Sequence, residues 1–146
     1  MQISSEFLEK FNLLKEGKVY YGEFARDTSF HAAVVITMHN NRLNCFCITS
    51  SASYIKSVSK IDKAAVVPLS KELVSRIFVE QQKESWIYCG RANLKTISKK
   101  EFLDLLSKNK ISFRDEVSPD FLKQLQNAIR SSITYSKQML SDLGLE

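Results

Sequence analysis

The hydrophobic pattern splits this chain in two. From residue 17 to about residue 97 the apolar positions fall in short runs closed by turn residues; beyond that they recur at helical spacing. Val19 to Phe24, rich in β-branched and aromatic residues, predicts a first strand. The loop Ala25 to Phe30 is polar. Ala32 to Thr37 is nearly continuous in apolar residues, the pattern of a central strand. Asn40-Asn41 signals a turn into Leu43 to Thr49, so the second and third strands form a hairpin. Ahead of them, Phe7, Leu8, Phe11 and Leu14 predict a helix over 4–15, capped by Ser4 or Ser5 and ended by Gly17.

Ser50 to Asp62, rich in Ser and Lys, reads as an exposed loop. Ala64 to Leu69 reads as a short strand, which Pro68 confines to an edge. Lys71 to Arg76 forms a helical turn, and Ile77 to Gln81 pairs with Trp86 to Cys89 as a hairpin around Lys83-Glu84. Leu94 to Ile97 is the last extended piece before the capping box Ser98-x-x-Glu101 opens a helix. A connection with a short extended piece at Ile111 to Phe113 leads to Ser118-Pro119, a helix start. That helix carries Phe121, Leu122, Leu125, Ile129 and Ile133 on one side and is expected to reach about Met139. Strands followed by helices predict an α+β fold with an antiparallel sheet, here a small β-barrel with the helices at one side. One domain spans 1–146: an N-terminal helix at 4–15, barrel strands over 17–97 and a helical part over 98–140.

With 146 residues, 44% of them hydrophobic, the chain can bury a core, and its net charge of +5 suits a polyanionic partner. Cys45-x-Cys47 places two thiols on one strand face. With Cys89 remote in sequence, the three read as small buried residues in a reducing compartment and not as a zinc site. The chain carries no P-loop, no dinucleotide fingerprint and no histidine-rich cluster, and no metal or cofactor is expected. No signal-peptide pattern opens it, and the run Ala32 to Ile36 is far too short to span a membrane, so cytoplasmic residence is the expectation.

One constellation can carry chemistry. Arg26, Asp27, Thr28, Ser29 and His31 precede or open the second strand; Thr49, Ser50 and Ser51 follow the third. The hairpin brings these two groups to one end of the sheet. An imidazole that exchanges protons near neutral pH, a guanidinium and several hydroxyls can bind a phosphodiester and steady the negative charge of a pentavalent transition state. Read structurally, the hydroxyls satisfy turn backbone and His31 is an ordinary strand residue. His39, beside Asn40-Asn41, reads as a turn residue.

The order G-K-V-Y-Y-G-E-F, a polar loop, H-A-A-V-V-I-T, a turn and L-N-C-F-C-I-T-S resembles the MazF/PemK family of toxin endoribonucleases. S-W-I-Y-C-G-R-A-N-L-K-T-I-S resembles its penultimate strands, and V-S-P-D-F-L-K-Q-L-Q-N-A-I-R-S-S-I its closing helix. The resemblance covers roughly Gly17 to Ile133. It implies an SH3-like barrel, a homodimer, and metal-independent cleavage of single-stranded RNA by attack of the 2′-hydroxyl on the adjacent phosphate. It also implies a cognate antitoxin, a protein or less commonly a small RNA, covering the RNA groove. Thr49 stands at the family's catalytic hydroxyl position. His31-Ala32 stands where the family has Arg-Pro, so the catalytic arginine is replaced by a histidine. The catalytic set expected is therefore His31 moving protons, Thr49 with Ser50 holding the phosphate, and Arg26 balancing charge. Ser51, Lys56, Lys60, Lys63 and Arg91 are expected to bind RNA, with Phe30 or Tyr54 stacking a base. The alternative is a non-catalytic barrel module that binds RNA or a protein partner through the same surface.

Overall fold

The computed structural model describes residues 14–24, 30–79 and 83–146. Seven strands and five α-helices are formed by these residues. The strands are β1 (Lys18–Glu23), β2 (Phe30–His39), β3 (Arg42–Cys47), β4 (Val66–Pro68), β5 (Trp86–Tyr88), β6 (Lys95–Ser98) and β7 (Ile111–Glu116). The helices are α1 (Ala52–Asp62), α2 (Lys71–Ile77), α3 (Lys99–Ser107), α4 (Pro119–Ser131) and α5 (Lys137–Asp142). Two single 3-10 turns, Lys63–Ala65 and Arg91–Asn93, complete the order.

The expected β2–β3 hairpin forms. Asn40 and Asn41 have φ of 52° and 59°, both left-handed, as a two-residue turn between His39 and Arg42 requires. Around it lies an antiparallel five-stranded sheet in the order β6-β3-β2-β1-β7. Alternate residues of β2 enter two separate cores. Ala32, Val34 and Ile36 pack with Val19, Phe46, Ile87, Leu125 and Ile129 on one face. Ala33 and Val35 pack with Tyr20, Leu43, Phe102, Leu103 and Ile111 on the other. That double burial is why β2 reads as an unbroken apolar run. Helix α3 covers one face; α4, α1 and the β4–β5 pair cover the other.

The barrel expected from the sequence does not close. β6 and β7 lie at opposite edges of the five-stranded sheet, and β4 and β5 pair with each other as a second, two-stranded sheet. The sheets meet through a bridge between Thr49 and Trp86, whose backbone groups exchange hydrogen bonds of 2.9 and 2.8 Å. The SH3-like barrel with its helices at one side is therefore replaced by an open, layered α+β architecture.

Four local expectations are also corrected. Residues 52–62, expected as a loop, form α1; only Ile55 and Asp62 on it are buried, so no apolar stripe announced it. The hairpin expected from 77–81 and 86–89 is replaced among the described residues: Ile77 ends α2, and β5 pairs with β4. The short piece at Ile111 to Phe113 is a full edge strand. The last helix does not run to Met139. Ser132 ends α4, Ser136 caps α5, and Ile133, expected on the buried side, is exposed. The helix expected at 4–15 and the loop 25–29, with Arg26, lie outside the described residues. Among the described residues no helix is long and apolar enough to cross a membrane.

Candidate functional site

The hairpin delivers the start of β2 and the exit of β3 to one end of the sheet, where the Ile48 amide donates to the Ala32 carbonyl (2.8 Å). Beyond Ile48 the chain bridges to Trp86 at Thr49 and turns into α1. The turn is built by hydroxyls. The Ser51 amide donates to Thr49 Oγ1 (3.1 Å), and Ser51 Oγ accepts from the Tyr54 amide (3.3 Å) as the N-cap of α1. Thr49 thus spends one lone pair on the turn and keeps its O–H as a donor. The structural role foreseen for these hydroxyls is met, and it leaves the Thr49 proton available.

His31 and Thr49 line a single open groove of about 540 Å³. Cys47, Ile48, Tyr54, Asn93, Leu94 and Lys95 complete most of its wall. Tyr54 is held across it, its hydroxyl donating to Asn93 Oδ1 (2.8 Å) and its ring meeting the Tyr88 ring edge-on at 6.3 Å. Tyr88 is fixed from behind by donating to the buried Asp62 (2.9 Å). Burial first, and that bond second, push the Tyr88 phenol up to about 12, so it stays protonated at neutral pH. A second hollow of about 230 Å³ lies on the other flank of His31 and is lined by Tyr21, Phe30, Ser50, Lys83 and Ser85. Phe30 is 58% exposed and rests edge-on against Tyr21. His31 and Ile48 line both hollows and form the ridge between them.

The residues singled out in the sequence are not all gathered here. His31, Thr49 and Tyr54 share the larger groove; Ser50 and Phe30 lie in the smaller. Ser51 serves as the helix cap. Lys56 and Lys60 stand exposed on α1 and Lys63 just after it, and none of the three lines either hollow. Arg91 lies on the far side of the Arg91–Asn93 turn, in a separate cavity. Lys95, Asn93, Lys83 and Ser85 line the hollows and were not foreseen. Lys95 lies within the run Leu94 to Ile97 that the sequence predicts to be extended; nothing in the sequence places Asn93 against Tyr54.

Cys45 and Cys89 are buried, and burial pushes the Cys89 thiol up to about 12 and Cys45 higher still. Both are packing residues and poor nucleophiles. Among the described residues no three His, Cys, Asp or Glu side chains gather as a metal site. No protein-family model matches the chain, and no curated protein matches it.

Proposed function

We propose that the groove between His31 and Thr49 binds single-stranded RNA and cleaves it without a metal cofactor, as a toxin-type endoribonuclease. The observation that carries this reading is that His31, near the start of β2, and Thr49, just past the end of β3, line one groove with Lys95 on its wall. In the reaction the 2′-hydroxyl attacks the adjacent phosphorus. His31 takes its proton and, as imidazolium, returns one to the departing 5′ oxygen. The P–O5′ bond breaks, leaving a 2′,3′-cyclic phosphate and a 5′-hydroxyl. Thr49 donates its proton to a non-bridging oxygen and Lys95 supplies positive charge. Phe30, exposed beside His31, offers a face on which a neighbouring base stacks. The resemblance to MazF/PemK toxins supports a cytoplasmic homodimer held in check by an antitoxin over this groove.

A second reading is favoured by the thin charge of the groove, where Lys95 is the cation among its lining residues: the surface binds RNA and does not cut it. Purified protein incubated with varied single-stranded RNAs in chelator separates the two. Cleavage with cyclic-phosphate ends, reduced about 10²-fold or more by His31→Ala and by Thr49→Ala, is the expected result. Salt-sensitive binding with no products across all sequences would establish the second reading and refute the first.

A further inference from the structure

Across the Arg91–Leu94 segment from the His31–Thr49 groove lies a separate cavity of about 170 Å³. Leu94 lines both, so the cavity and the groove adjoin. Its polar edge carries Arg42, Arg91 and Asp142. Neither guanidinium forms an ion pair with a described residue. Asp142 gives Oδ1 to the Gln138 side chain at 2.9 Å and has Oδ2 to offer. The walls are Leu94, Met139 and the Tyr135 ring, and Tyr135 is locked by donating to the Cys89 carbonyl at 2.7 Å. The polar residues Asn44 and Thr96 also line the cavity and are bonded to each other. Asn44 is buried, donates to Thr37 Oγ1 (2.9 Å) and accepts from Thr96 Oγ1 (2.8 Å). What the cavity offers a ligand is thus an apolar wall together with two guanidinium donors and a carboxylate acceptor.

A phosphate would suit the arginines and be repelled by Asp142. A nucleobase uses both. Guanine presents adjacent acceptors, O6 and N7, which match an arginine, and adjacent donors, N1–H and N2–H, which match a carboxylate. Adenine sets an acceptor, N1, beside its one amino donor and would place that lone pair towards Asp142. We propose that this cavity is a base-recognition pocket selecting guanine in single-stranded RNA, next to the position cut. The assignment rests on the RNA reading of the neighbouring groove and adds its sequence preference.

The test is made independent of cleavage. Short RNAs 2′-O-methylated at every position have no nucleophile, so their affinity reports recognition alone. In a uridine background, an oligomer with one guanine is expected to bind about tenfold tighter than its adenine counterpart. Asp142→Asn and Arg42→Ala remove that preference while His31→Ala keeps it, with melting temperatures showing that each variant is folded. Equal affinity for the guanine and adenine oligomers overturns the pocket, as does a preference that survives in Asp142→Asn and Arg42→Ala together. So does competition by inorganic phosphate that abolishes binding through these residues. Failure of cleavage on ordinary RNA with the guanine preference intact refutes the nuclease and leaves the pocket standing.

Discussion

Asp62 is the residue whose alteration tests the most of this structure. It is 3% exposed at the end of α1 and accepts three hydrogen bonds: Oδ2 from Tyr88 Oη (2.9 Å) and Ser132 Oγ (2.6 Å), Oδ1 from the Ile133 amide (3.1 Å). It thereby joins α1 to β5 and to the turn that ends α4. Asp62→Asn keeps the volume and changes the chemistry. With the amide oxygen in the place of Oδ2, the hydroxyl bonds survive, each weakened by about 1 kcal/mol on passing from a carboxylate to a neutral acceptor. The new NH₂ then faces the Ile133 N–H, and that donor is orphaned at about 1–2 kcal/mol. The loss expected is about 3–4 kcal/mol. For a domain of this size that is a fall of about 6–14 °C in melting temperature. Ser132→Ala, which removes one donor to Asp62 and the acceptor for the Thr134 amide (3.2 Å), should cost about half as much. Thermal and urea unfolding of the three proteins decide it. A shift below about 2 °C for Asp62→Asn, or a larger one for Ser132→Ala, would refute the view that this carboxylate pins the three elements together.

Three further outcomes are expected. Tyr20, Cys45, Tyr88, Cys89 and Tyr135 are all raised above their ordinary values, chiefly by burial. Their protonated forms stabilise the fold below about pH 9, and that contribution is lost as pH rises through about 9 to 12, where the unfolded chain has already released the protons; an unfolding midpoint that does not fall over this window contradicts the burial. Gly22→Ala places a Cβ about 2.1 Å from the Lys110 carbonyl oxygen at φ 149° and should cost more than about 3 kcal/mol by splitting β1 from β7. Gly17→Ala, whose new Cβ would meet nothing nearer than 3.6 Å, should cost about 1 kcal/mol, and denaturant midpoints compare the two. Ser118→Ala removes the acceptor for the Phe121 amide (3.1 Å) at the start of α4 and should lower stability by about 1 kcal/mol in the same assay, with no change in RNA affinity.

The sequence by itself determined what depends on neighbours along the chain. The Asn40-Asn41 turn, the capping serines at 98 and 118, the central strand β2 and the meeting of His31 with Thr49 at one end of the hairpin all follow from local spacing and turn chemistry. The tertiary structure decided what depends on partners far apart. Helix α1 was hidden because its inward anchor is Asp62, a charged residue that is buried only because Tyr88, Ser132 and Ile133 supply donors from 26, 70 and 71 residues away. Periodicity of apolar residues cannot register such a face. The sheet stays open for a related reason. An apolar run like β2 is equally compatible with a barrel wall and with a layer buried on both sides. Only the packing of Phe102 and Leu103 against one face and of Leu125 and Ile129 against the other chooses between them.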